Sequence, residues 1–322
     1  MLTEKKISVV IPCYNDRGSI HEMYRRVNAV MQDVTPNYEF VYVNDASPDD
    51  AIEVLRQFAA KDKRFVVVDH SRNFGKEAAC AAGLMVCTGD AAILLDGDLE
   101  DPPELFPEFV KNWLEGYEVV YGVRARRRAN PIKRIGYKIF YRIFRKLSYL
   151  KMPLDAGDFG LIDRKVIEVL NRMPETDRFF RGLRAWAGFR SAGIPYARAE
   201  RFSGKSASGI GIYLRAFKRG IFSFSYAPLG MISLLAVVMS VLSFAALIAY
   251  VAIAIAGASP APRGFLTQVV LMLVLSAMQF LCLAVIAEYV GRIFEETKRR
   301  PQYVIREILN DPRQNQTQTQ PA

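Results

Sequence analysis

Two stretches without a single charged side chain constrain this 322-residue chain most strongly. Leu229–Ala256 runs for 28 residues and Phe265–Ala287 for 23 with no Asp, Glu, Lys or Arg. At a rise of about 1.5 Å per residue, each exceeds the roughly 30 Å hydrocarbon core of a bilayer. Buried helices of water-soluble proteins are rarely this long. The sequence therefore predicts two transmembrane helices joined by a turn over Gly257–Gly264. Arg215, Lys218 and Arg219 precede them, and Arg292, Lys298, Arg299 and Arg300 follow. Two spans return the chain to the side it left, and basic flanks assign that side to the cytoplasm.

The formal net charge of +10 fits nucleic acid, anionic lipid or a phosphorylated substrate. Its position selects among them. Between Val119 and Leu154 lie eleven Lys or Arg and no acid, close to the apolar region. Lipid phosphate is the expected partner, and no nucleic-acid-binding motif is present. Within this stretch Ile132, Ile135, Ile139, Phe140, Ile143, Phe144 and Leu147 recur at helical spacing among basic residues. That pattern suits a helix lying in the membrane interface, or a core-facing helix with a solvated basic face. Tyr213–Phe222 is a second candidate. Cys13, Cys80, Cys87 and Cys282 are spaced for neither zinc nor a disulfide framework, which fits a reducing compartment. The charged N-terminus runs straight into an apolar segment and reads as no secretory signal.

The first hundred residues alternate short apolar runs with helical periodicity. Strands are expected at Ile7–Ile11, Phe40–Val43, Phe65–Val68 and Ala91–Leu95, with helices near Ser19–Met31, Asp49–Ala60 and Lys76–Cys87. This order predicts an α/β domain with a mostly parallel sheet and helices on both faces. Ligands of such sheets sit beyond the carboxyl ends of the strands. Pro12–Asp16, Asn44–Asp50 and Asp96–Asp101 occupy those ends and form one expected site. Asp96 and Asp98, separated by Gly97, can grip one hard divalent cation, Mg2+ or Mn2+, with Glu100 or Asp101 as a third ligand. Such a cation neutralises a departing diphosphate.

Four ordered strings carry a resemblance. They are Val10-Ile11-Pro12-Cys13-Tyr14-Asn15-Asp16, Asn44-Asp45-Ala46-Ser47-Pro48-Asp49, Ser71-Arg72-Asn73-Phe74-Gly75-Lys76 and Asp96-Gly97-Asp98-Leu99-Glu100-Asp101-Pro102-Pro103. Together with Asp155-Ala156-Gly157-Asp158-Phe159 and the two apolar runs, they resemble family 2 glycosyltransferases of the GT-A fold. The similarity is greatest to polyprenyl-phosphate glycosyltransferases of the bactoprenol glucosyltransferase and dolichyl-phosphate mannose synthase kinds. The resemblance covers nearly the whole chain. It implies inverting, metal-dependent transfer of a hexose from a nucleotide-sugar, with UDP-glucose favoured, to undecaprenyl or another polyprenyl phosphate. GDP-mannose and UDP-N-acetylhexosamine are the alternative donors, and a silent membrane partner is the alternative from another class. A homo-oligomer, a tetramer among its forms, is also implied.

The resemblance assigns roles to matching positions. Pro12, Tyr14, Asn15 and Asp16 would line the base and ribose pocket, with Asp45 on the base and Asn73 and Lys76 near the nucleotide. Asp96 would serve ribose and metal, Asp98 the metal, and Glu100 a further ligand position. Asp158 would stand near the sugar C1 as base or acceptor-positioning group. Arg124, Arg126, Arg127 and Arg128 would meet phosphate, and Arg201, Lys205 and Ser206 would close over the donor. Plainer readings stand beside these: Asp45 as a turn residue before a helix capped by Asp49, and Asp158 as a cap or partner of Arg164.

The chain departs from the family pattern at Glu100, at Gly160 and in the segment after Gly204, where basic contacts are lost or moved. Arg184-Ala185-Trp186 approaches the Gln-x-x-Arg-Trp of processive synthases without matching it. The expected division is a nucleotide-sugar core over 1–130, an acceptor-side segment over 131–227, two membrane helices over 228–290, and a cytoplasmic helix with a disordered tail over 291–322.

Overall fold

The computed structural model describes residues 1–124, 156–176, 178–197, 227–255 and 265–313. The chain divides into two compact units: Met1–Arg142 with Leu150–Arg215 and Arg300–Ala322, and Ile143–Tyr149 with Ala216–Arg299.

The first unit is the expected α/β domain. Strands β1 (Ile7–Cys13) and β2 (Tyr38–Asn44) are buried at every residue, as apolar runs covered on both faces must be. Strands β3 (Phe65–His70) and β4 (Ala91–Leu94) pair parallel to β2 and β1. Helices α1 (Ile20–Val34), α2 (Ala51–Lys61) and α3 (Lys76–Val86) make the crossovers. On α1 the buried residues Ile20, Met23, Val27, Met31 and Val34 recur every three or four positions and form one core-facing stripe. After α4 (Phe106–Leu114) come β5 (Val119–Arg124), β6 (Ala156–Asp163), α5 (Arg164–Arg172), α6 (Phe180–Ala187) and β7 (Ser191–Tyr196).

The eight described strands, the last of them β8 (Ile305–Leu309), run in the order β7-β5-β6-β4-β1-β2-β3-β8, with β6 antiparallel to β4 and β5. Strand β1 lies between β2 and β4, so the order reverses beside it. That switch point is where an open parallel sheet leaves a crevice for ligand. Cys13 is in register with Asn44, and Asn44 with Asp69, so the loops after β1, β2 and β3 leave one edge together.

The second unit holds α7 (Ala227–Ile255) and α8 (Phe265–Thr297). Among the described residues, Val274–Thr297 is long and apolar enough to cross a membrane, and Leu229–Met239 is a shorter apolar helical stretch. Helix α8 continues ten residues beyond the charge-free run that ends at Ala287. Large side chains such as Met272, Phe280 and Ile293 stand exposed along it, as suits contact with lipid.

The region after residue 291 was expected to be helical. It is so only to Thr297, and β8 (Ile305–Leu309) follows, antiparallel to β3. Arg299 at φ 49° and the ring of Pro301 end the helix. The unpaired edge of β3 then accepts the apolar segment Ile305–Leu309 as a strand. The expected interfacial helices and the tail beyond residue 313 lie outside the described residues.

Candidate active site

A cavity of about 690 Å³ opens at the switch point. Pro12–Asp16, Asp45, Asn73, Gly75, Lys76, Ala79 and Asp96–Asp98 line it. The structure thus brings together nine of the residues singled out in the sequence: Pro12, Tyr14, Asn15, Asp16, Asp45, Asn73, Lys76, Asp96 and Asp98. The loops take backbone conformations that L-residues rarely adopt. Asn15, Ala46, Asp50 and Leu99 have φ of 59°, 49°, 56° and 61°. Strain of this kind persists where surrounding bonds over-determine it. Here Asn15 donates its N–H to Ser47 Oγ at 2.7 Å, and Arg17 donates to Asp49 Oδ2 at 2.8 Å. Gly97 lets the acidic turn approach β1, because a Cβ there would fall 2.9 Å from the Pro12 carbonyl oxygen.

Asp45 is not a simple turn residue. Its Oδ1 accepts from His70 Nδ1 and from the Phe74 N–H, both at 2.8 Å, and its Oδ2 from the Gly75 N–H at 2.8 Å. Burial pushes the carboxyl up, but these three donors outweigh it and hold Asp45 below the usual carboxylate range. One carboxylate thus shapes the loop that runs from β3 into α3.

Asp158 on β6 does not pair with Arg164, which bonds the carbonyls of Gly89 and Cys87. Its oxygens meet Lys76 Nζ at 3.2 Å and Arg181 Nε at 2.9 Å. Burial would raise this carboxyl, yet Lys76 and Arg181 hold it well below the ordinary range. Lys76, the first residue of α3, also lies 2.6 Å from Asp96 Oδ1. Burial acts to lower its ammonium, and the Asp96 and Asp158 carboxylates raise it above the usual lysine range. A chain of alternating charge, Asp96–Lys76–Asp158–Arg181, therefore leads away from the cavity.

Sequence reasoning missed Arg181, Arg184 and His70. Arg181 and Arg184 sit three apart on α6, each following a buried apolar residue, Phe180 and Leu183, and the helix presents both to β6. Arg184 donates to the carbonyls of Gly157 at 2.8 Å and Asp158 at 3.4 Å. Gly160, where the resembled family commonly has a basic residue, has no room for a side chain. A Cβ on Gly160 would meet the Val120 carbonyl oxygen at 2.3 Å, and α6 supplies positive charge to Asp158 instead.

Other expected members are not part of the cavity. The Glu100 N–H donates to Asp98 Oδ1 at 3.1 Å, closing a tight turn through Leu99, and Glu100 is not among the cavity-lining residues. Among the described residues no group of three or more His, Cys, Asp or Glu is assembled to hold a metal. The expected Asp96, Asp98 and Glu100 ligand set is thus not preformed. Two carboxylates facing one cavity, with an ammonium already against Asp96, still suit a hard cation that completes its shell from phosphate and water. Arg124 lies 3.9 Å from Asp101 Oδ2 and 3.4 Å from the Tyr196 hydroxyl. Arg126, Arg127, Arg128, Arg201, Lys205 and Ser206 lie outside the described residues.

Known proteins resemble this chain over most of its length. The model of the family described as Glycosyl transferase family 2 matches residues 8–170. An uncharacterized glycosyltransferase of Bacillus subtilis is 38% identical over 299 residues, covering 92% of this chain and 92% of that protein. A prophage bactoprenol glucosyl transferase homolog of Escherichia coli is 34% identical, over 94% of this chain and 99% of its own length. A bactoprenol glucosyl transferase of Shigella phage SfX has the same identity and coverage.

Proposed function

The chain belongs to glycosyl transferase family 2 and is a glycosyltransferase, and on that premise we propose that it transfers a hexose, from UDP-glucose, to polyprenyl phosphate at the cytoplasmic membrane face. One observation carries the reading. The loops after β1, β2 and β3 meet the Asp96-Gly97-Asp98 turn in a single cavity, beside a carboxylate flanked by Lys76 and Arg181. The bactoprenol names of the relatives support a lipid acceptor. The apolar α8 and the basic segments beside the apolar runs support attachment of the chain to a membrane.

In this reading the base and ribose lie among Pro12, Tyr14, Asn15, Asp16, Asp45 and Asn73. The diphosphate lies toward Lys76 and the N-terminal turn of α3, where helix N–H groups and an ammonium favour negative charge. Asp96 and Asp98 would hold Mg2+ or Mn2+, which when bound neutralises the leaving diphosphate. An acceptor oxygen bonds to C1 as the bond from C1 to the diphosphate breaks, and the nucleoside diphosphate departs with the electron pair on the opposite face. The configuration is inverted.

A phosphate monoester has a second pKa near ~6, so the acceptor is largely dianionic at neutral pH and needs no deprotonation. Asp158 is correspondingly unsuited to act as a base: a carboxylate held this far below neutrality takes up protons poorly. Its work is to hold Lys76 and Arg181 where phosphate charge gathers. In this reading Arg124 and Arg126–Arg128 would serve the lipid phosphate, and Arg201, Lys205 and Ser206 the donor, as the resemblance implies.

The test is to incubate membranes containing the chain with labelled UDP-glucose, GDP-mannose or UDP-N-acetylglucosamine and score the organic phase. Label from UDP-glucose is expected. Label from GDP-mannose alone contradicts the donor, and none from any donor contradicts the reaction.

A further inference from the structure

The segment after α8 returns to the sheet and reaches the back of the cavity by two separate routes. In the first, the Tyr303 ring stacks on His70, with centroids 5.3 Å apart and planes at 12°. The Tyr303 hydroxyl donates to Met85 Sδ on α3 at 3.0 Å. His70 is fully buried, and its Nδ1 donates to Asp45. Its Nε2 has no hydrogen-bond partner among the described residues, so the bond to Asp45, the stack on Tyr303 and an edge contact with the Phe74 ring, 5.6 Å away at 89°, orient the ring. In the second route, Arg306 Nη1 donates to Asp69 Oδ2 at 3.1 Å. The buried Asp69 accepts from Asn44 Nδ2 at 2.7 Å, and Asn44 Oδ1 accepts from the Ser47 N–H at 3.3 Å. Ser47 Oγ in turn takes the N–H of Asn15.

We propose that this C-terminal segment is a positioning element of the donor pocket: Tyr303 acts through His70 on Asp45, and Arg306 through Asp69 and Asn44 on the loop at Ser47. Neither Tyr303 nor Arg306 lines the cavity, so neither touches the donor. Each sets a residue that does. A buried carboxylate that gathers three donors tolerates little change in their geometry. A pocket whose loops sit at positive φ needs such external ties to keep one conformation. The inference rests on the nucleotide reading of the cavity.

The experiment uses the full chain in detergent, with UDP-glucose as donor and polyprenyl phosphate as acceptor, and separates KM from kcat. His70→Leu keeps the burial and removes the bond; His70→Asn retains a donor near the Nδ1 position. Arg306→Ala removes one route at an exposed side chain, so its folding is not at stake. Donor KM should rise about tenfold in His70→Leu and several-fold in Arg306→Ala, with kcat and acceptor KM within about twofold. His70→Asn should restore most of the loss, and Arg306→Lys part of it. Unchanged donor KM in Arg306→Ala and in folded His70→Leu, beside a raised KM in Asp45→Asn, overturns the positioning role alone. Unchanged donor KM in Asp45→Asn overturns the nucleotide reading as well.

Discussion

Asp158 and Glu77 show how one neighbourhood drives two carboxyls in opposite directions. Asp158 is ionised because Lys76 and Arg181 overcome its burial. Glu77 is half-buried beside that carboxylate, and loss of solvent first, then Asp158, push it up to about 7 against the Phe180 N–H and the Lys76 and Arg181 charges. An unfolded Glu titrates near 4.5, so the folded state favours protonated Glu77. The stability this contributes is complete below about pH 4.5 and is lost as pH rises through about 7. Glu77→Gln keeps an oxygen for the Phe180 N–H, which Glu77 now accepts at 3.1 Å, and removes the charge. It should raise the thermal midpoint over wild type at pH 8 and leave it unchanged near pH 4. Equal shifts at both pH values would contradict the assignment. Asp45, Asp96 and Asp98 were legible as cavity residues because they follow buried parallel strands, whose carboxyl ends meet at the crevice. Arg181 and His70 were not, since a helical arginine and a strand-end histidine read locally as surface and core. Only the fold brings them to Asp158 and Asp45.

At the scale of elements, the sheet constrains one departure from the family pattern. Gly160 opposes Tyr121 on β5 and Leu94 on β4, and any side chain there would enter the Val120 carbonyl. Gly160→Ala should therefore cost about 1–3 kcal/mol and lower the thermal midpoint by several degrees. An unaltered midpoint would show that β5 yields, and would reopen Gly160 as a lost basic contact. The parallel strands and their crossovers were readable from alternating periodicity, and the observed helices differ from expectation by a few residues at their ends. Strand β8 was not readable. Ile305–Leu309 has neither strict alternation nor a turn leading into it, and it becomes a strand because β3 offers an open edge. Long-range pairing of this kind leaves almost no local trace.

At the scale of the whole molecule, a cavity lined by four aspartates and Lys76 and a strongly apolar helix occur in one chain. A soluble acceptor would explain the first and not the second. A phosphate carried on a polyprenyl chain explains both, since its headgroup is charged and its tail remains in the bilayer. On the proposed reading the acceptor needs no base, because its phosphate would arrive already ionised. The apolar runs were the plainest signal in the sequence because hydrocarbon thickness imposes a length that soluble folds seldom need. The identity of the sugar depends on pocket shape that motifs do not encode.

The most direct measurement supplies purified full-length wild type and Asp98→Asn with labelled UDP-glucose, undecaprenyl phosphate and Mg2+ or Mn2+, and follows label into lipid-linked phosphodiester. The predicted result is glucosyl-phospholipid from the wild type and none from Asp98→Asn, with both proteins inserted in membranes alike. Equal product from the two proteins, or label released to water with no lipid product from either, would contradict the account.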